Sequence, residues 1–245
     1  MENAQLINLS RQIALQRQMD VVANNMANIN TTGFKGETVL FEEYIMPVAS
    51  DEDFATLDQS LSYTQDWATI HDLSNGPIQH TGNTFDIALE GEGFLAIQTP
   101  QGERYTRNGE LKLDSTGLLI TSDGFPVLSE GDLIRFSPEE TGITFGLDGS
   151  IISSAGNKGR LRIVSFEDPQ SLKLEGGNLY SGENPVQDLV TRTVQGALER
   201  SNVSGITEMA SMIRVNRAYQ TLAQIMQREE ELRSTAINTL GDLNA

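Results

Sequence analysis

Cysteine is absent from the 245-residue chain, so disulfides, thiol nucleophiles and cysteine-held metals are excluded. Histidine is nearly absent. His71 and His80 stand among polar residues with no HExxH-type spacing, which leaves little for zinc or acid–base chemistry and predicts both as surface or loop residues. Basic residues are few: 17 Lys and Arg face 34 Asp and Glu, for a net charge of -17. Such a surface repels phosphate backbones and argues against nucleic-acid binding. Aromatics are 6% of the chain, and no run approaches the roughly 18 apolar residues of a spanning helix, so membrane insertion is not expected. The first residues, Met1 to Gln12, lack a basic stretch followed by an apolar core, so a cleaved signal peptide is not expected. The length allows one large or two modest domains with a buried core.

Helix breakers and charge are unevenly placed. Residues 1–32 and 206–240 contain no Gly and no Pro, while all 7 Pro and 17 of the 22 Gly fall in residues 37–193. The N-terminal 36 residues carry +1 and residues 194–245 carry −1, so the acidity belongs entirely to the centre. Breaker-free ends predict helices, and closely spaced turn signals predict a β-rich centre. Leu15, Met19, Val22, Met26 and Ile29 recur at heptad spacing, with Leu6, Leu9 and Ile13 on a neighbouring stripe. Gly33 marks a helix stop. Near the other end, Val215, Ala218, Leu222, Ile225, Glu229, Leu232, Ala236, Thr239 and Leu243 keep a 3,4 spacing, widened by Met209, Met212, Ile213, Tyr219 and Met226. Ser204 suits an N-cap, with Glu208 favourably placed against the helix dipole. A helix of this length exceeds the usual mean of about 11–12 residues, and two seams predict that the ends pair as a coiled coil.

In the centre, 85–89, 94–98, 111–113, 117–121, 143–145 and 161–166 are short apolar or alternating runs separated by Gly-containing turns. Connections this short make antiparallel strands. The expected fold is therefore α+β: residues 1–36 with 203–245 form a terminal coiled-coil domain, and residues 37–202 form an antiparallel all-β domain, in which 37–75 is an extended arm or loop. Gly91-Glu92-Gly93-Phe94-Leu95-Ala96 matches a dinucleotide-binding pattern, but no helix opens at these glycines, so a hairpin turn explains it better. Asp51-Glu52-Asp53 and Glu229-Glu230-Glu231 fit no EF-hand spacing, and nothing selects two of the many acids for glycoside cleavage. No catalytic residue, cofactor or metal is expected.

Three separated segments together resemble the flagellar rod and hook axial protein family. They are Met19 to Lys35, reading MDVVANNMANINTTGFK; Thr81 to Leu89 with Gly91-Glu92-Gly93-Phe94 and Arg104 to Gly109; and Gly196 to Val203, followed by Glu208-Met209, Met212-Ile213 and Arg217-Ala218-Tyr219. The start of the chain and its length favour the proximal-rod type, with the distal-rod type as near neighbour. The resemblance implies a structural subunit, not an enzyme, exported by the flagellar type III apparatus and assembled helically around a channel in the periplasmic part of the basal body. There it would transmit motor torque. Implied partners are other proximal and distal rod subunits and copies of itself, with ring proteins around the rod as a further class. Leu15, Met19, Val22, Asn24, Asn25, Met26, Asn28, Ile29, Asn202, Met209, Met212, Ile213, Val215, Arg217, Tyr219, Leu222, Ile225 and Met226 are the expected assembly interface. Asparagine is a poor helix former, so Asn24 and Asn25 should answer to hydrogen-bond partners, while Asn28 and Asn30 suit a helix end. Two other readings stand beside this one: a secreted coiled-coil adhesin with a β head, and a carbohydrate-acting enzyme using central acids.

Overall fold

The structure, a computed structural model, describes residues 2–46, 61–131 and 133–242. Two α-helices occur among the described residues, α1 (Glu2–Ala27) and α2 (Gly205–Asp242), separated by a long series of short strands. The chain divides into two compact units, one of residues 1–26, 37–70 and 205–245, the other of residues 27–36 and 71–204.

The first unit contains both helices and a two-stranded sheet, β1 (Glu37–Met46) and β2 (Leu61–His71). Residues 37–75, expected as an arm or loop, thus hold two strands, and 47–60 lie outside the described residues. In α1 the side chains of Ala14, Val21, Val22 and Asn25 are buried, and in α2 those of Val215 and Leu222. Gln12 Nε2 donates to Tyr219 Oη at 2.8 Å and Asn8 Nδ2 to Glu229 Oε2 at 3.2 Å. These bonds run the helices in opposite directions.

The expected coiled-coil domain is not what forms. Between the two polar contacts the chain steps back four residues on α1 but forward ten on α2, whereas a regular antiparallel pair advances equally on both. Apolar seam positions beyond Leu222 are open at Ile225, 44% exposed, and Leu232, 71% exposed, and Leu6, Leu9 and Ile13 on α1 are exposed as well. A heptad stripe states what a helix is able to bury, and does not supply the partner that covers it.

The second unit is built on strand alternation. Its strands in chain order are β3 (Ile78–His80), β4 (Ile87–Glu90), β5 (Phe94–Thr99), β6 (Gly102–Thr106), β7 (Leu111–Leu113), β8 (Leu119–Thr121), β9 (Thr144–Phe145), β10 (Ser150–Ser153), β11 (Gly156–Arg160) and β12 (Ile163–Ser165). A short 3-10 turn, Pro169–Ser171, then leads to β13 (Lys173–Leu174), β14 (Tyr180–Ser181), β15 (Val186–Gln187), β16 (Arg192–Gln195) and β17 (Ala197–Glu199). A six-stranded sheet runs β13-β14-β6-β5-β12-β15, and its pairings are antiparallel. Because successive side chains point to opposite faces, β5 feeds two cores. Leu95 and Ile97 join Ile87, Leu89, Leu119, Ile134, Ile151 and Leu161 in one, while Phe94 and Ala96 join Tyr105, Val164, Phe166 and Tyr180 in the other. Leu95 lies opposite Ile163 and Phe94 opposite Val164, so β12 obeys the same division. The Gly91–Gly93 segment is the link between β4 and β5, and the strand that follows is incompatible with a dinucleotide-binding helix.

His71 departs from expectation. It is buried, its ring meets Tyr180 edge-on at 6.0 Å, and Nε2 lies 3.2 Å from the Leu172 carbonyl oxygen. The end of a strand has carried a polar residue under the second core. His80 is exposed, as expected. No group of residues suited to hold a metal ion occurs among the described residues.

Glu140 ties down the β10–β11 hairpin by accepting from Lys158 Nζ at 2.6 Å, Ser153 Oγ at 2.7 Å and the Ser137 N–H at 3.0 Å. The Lys158 bond is the chief reason its carboxyl is held at about 2, below the ordinary 4.5. The folded state thus holds this proton less tightly than the unfolded chain. The contribution is complete above about pH 4.5 and is lost as pH falls towards 2. Glu140→Gln is expected to flatten the fall in thermal midpoint between pH 4.5 and 2. Identical slopes for variant and parent would contradict this.

Candidate functional site

The segments that carried the family resemblance converge at one buried place in the second unit. Lys35 comes from the stretch after α1, Arg107 from the turn after β6, and Glu199 from the end of β17. All three are about 1% exposed. Glu199 Oε1 accepts from Lys35 Nζ at 2.6 Å and from the Gly76 N–H at 2.9 Å, and Arg107 Nη1 donates to Oε2 at 3.4 Å. Lys35 also donates to the Ser74 carbonyl at 2.7 Å, and Arg107 to the Gly91 carbonyl at 2.7 Å. The Arg107 guanidinium lies over the Phe94 ring, 5.0 Å from its centre. Two cations thus share one carboxylate away from water. Burial pulls both the lysine and the arginine below their ordinary pKa values, and Glu199 opposes the shift in each.

Local sequence makes this approach possible. Gly33 takes φ +67, and a Cβ there would stand 2.4 Å from the Arg107 carbonyl carbon and oxygen. A Cβ on Gly76 would stand 1.9 Å from the Arg200 carbonyl oxygen. The Gly33 N–H donates to the Glu199 carbonyl at 2.8 Å, and Phe34 beside it is buried.

Asn202 is a second polar hub. Its Oδ1 accepts from the Gly36 N–H at 2.8 Å, and its Nδ2 donates to the Asp72 and Ser74 carbonyls at 2.8 and 3.2 Å. Residues 33–36, 72–77 and 199–203 are therefore joined through Glu199 and Asn202, with backbone bonds from Asp72 N to Gly36 O and from Arg200 N to Pro77 O.

The residues expected at the assembly interface fall into separate groups. Asn25 is buried and grips the backbone of Glu37, donating to its carbonyl at 2.8 Å and accepting from its N–H at 3.0 Å, which sets the chain's entrance to β1. Asn28 accepts from the Thr31 hydroxyl at 3.0 Å in the turn after α1, while Asn24 and Ile29 are half-buried. Val22, Val215 and Leu222 are buried, and Leu15, Met19, Met26, Met212, Tyr219 and Met226 half-buried. Met209, Ile213, Arg217 and Ile225 are exposed. Sequence reasoning did not single out Lys35, Arg107 or Glu199 as a unit, although each lies in a quoted motif. The available signal was a charged residue inside a Gly- or apolar-rich motif in all three cases.

Three family profiles match the chain: "Flagella basal body rod protein" over residues 6–35, "Flagellar hook protein FlgE/F/G D1 domain" over 88–153, and "Flagellar basal body rod FlgEFG protein C-terminal" over 194–239. The flagellar basal-body rod protein FlgF of Caulobacter vibrioides is 36% identical, with 100% of both chains covered. FlgF of Mesorhizobium japonicum is 30% identical over 98% of this chain and 99% of its own. The rod protein FlgG of Bacillus subtilis is 32% identical over 91% of this chain and 93% of its own.

Proposed function

Because the chain belongs to the flagellar basal-body rod protein family, as a structural subunit that assembles with other rod and hook proteins in the basal body, we propose that it occupies the FlgF-type position in the proximal rod. The observation that carries this reading is the similarity to FlgF over the full length of both chains. The FlgG-type match leaves about a tenth of this chain uncovered, which makes the distal position the second reading.

In the proposed role the subunit repeats through heterologous contacts into a helical tube that transmits torque and encloses the export channel. Its role is mechanical and involves no cofactor. The expected assembly residues that remain exposed, Met209, Ile213, Arg217 and Ile225, lie against neighbouring subunits, whereas Val22, Val215 and Leu222 support the subunit's own packing. The chain reaches the periplasm by flagellar type III export, and ring proteins around the rod are further neighbours. The deciding experiment images basal bodies from a strain carrying this chain with an internal label. Label at the motor-side end of the rod is expected. Label confined to the hook-side end would assign the distal position, and its absence from the rod would overturn the reading.

A further inference from the structure

We propose that Glu199 and Asn202 form a latch that makes the seating of residues 33–36 and of residues 199–203 a single cooperative event, so that neither segment is stable in the second unit without the other. This does not depend on where in the rod the subunit sits. It rests on the charge count and on the bonding pattern. Lys35 lies 164 positions before Glu199, and burying its ammonium without that carboxylate leaves a cation whose one hydrogen-bond acceptor among the described residues is the Ser74 carbonyl. Arg107, already under the sheet, is a like charge that disfavours Lys35 further until the carboxylate arrives.

The dependence runs in the other direction as well. Glu199 cannot be buried at low cost without its cations, and Asn202 Oδ1 takes the Gly36 N–H as its partner. The loop at residues 72–77 is held by both sides: Lys35 and Asn202 both bond the Ser74 carbonyl, and Glu199 bonds the Gly76 N–H. Lys35 and the Gly36 N–H both take partners from residues 199–203, and both segments bond the same 72–77 loop, so the set favours two states, all made or all released. The core that contains Leu95 and Leu119 is built from other residues and lies outside this set, while the second core meets it where Arg107 lies over Phe94.

Hydrogen exchange of individual amides in the full chain tests the latch. Glu199→Gln removes the shared charge. It is expected to speed exchange at Gly33, Gly36, Asp72 and Gly76 together by at least tenfold, with Leu95 and Leu119 in the core little changed. Phe34→Ala, which removes a buried side chain of the N-terminal segment and touches no charge, is expected to speed exchange at Gly76 and Arg200 by a similar factor, because coupling is reciprocal. If Glu199→Gln also loosens the core, Phe34→Ala alone decides the matter. Faster exchange confined to the segment that carries Phe34→Ala, with Gly76 and Arg200 at their parental rates, would overturn the proposal.

Discussion

Glu199→Ala is expected to destabilise the second unit by about 3–5 kcal/mol, the range for removing one partner of a buried ion pair. It leaves Lys35 and Arg107, each about 1% exposed, without the carboxylate they share. The ordering of related variants is more telling than the magnitude. Lys35→Met retains the bonds from Arg107 and the Gly76 N–H to Glu199, and it removes the excess positive charge. It should cost well under half as much as Glu199→Ala. Combining Lys35→Met and Arg107→Met with Glu199→Met should recover a large part of the loss, since an apolar group of similar volume often replaces a buried ionic one at little cost. Chemical denaturation of the three variants, followed by circular dichroism, measures the series. A Lys35→Met penalty equal to or greater than that of Glu199→Ala would show that the carboxylate is not the shared centre.

Leu232→Asp is expected to abolish swimming and the incorporation of the chain into rods while leaving the soluble subunit as stable as the parent. Leu232 is 71% exposed, so in the free subunit the new carboxylate stays hydrated and costs within about 0.5 kcal/mol. In an assembled rod, an apolar neighbour covering this position would force an unpaired charge out of water, a cost of several kcal/mol at every copy. Leu222→Asp is the contrasting variant. Leu222 is 6% exposed on the same stripe, and a charge there should unfold the first unit before assembly is attempted. Motility assays, basal-body purification and thermal melts of the purified subunit separate the two cases. Normal swimming with Leu232→Asp would remove this part of α2 from the interface.

The contrast between these leucines shows where sequence reading stops. Both sit on the seam that runs from Val215 through Leu232, and nothing in their spacing distinguishes them. Only the packed structure shows that Val215 and Leu222 are covered and that Ile225 and Leu232 are not. The coiled coil read from that seam failed for the same reason. Asn25 was recognisable as a residue needing partners and Asn202 as an interface residue, yet their partners, the backbones of Glu37, Gly36, Asp72 and Ser74, could not be named. His71 was misplaced because its burial depends on Tyr180 and Leu172, about a hundred residues further on.

What the amino-acid order determined by itself was local: helices where Gly and Pro are missing, strands where apolar residues alternate between glycine turns, and an acidic centre between near-neutral ends. Each follows from forces acting over a few residues, namely backbone sterics, helix capping and side-chain period. Only the tertiary structure decided which helical positions stay open, and that Lys35, Arg107 and Glu199 meet. Those outcomes depend on groups as far as 164 residues apart, whose encounter is selected by the summed free energy of the folded unit and leaves no periodic trace along the chain.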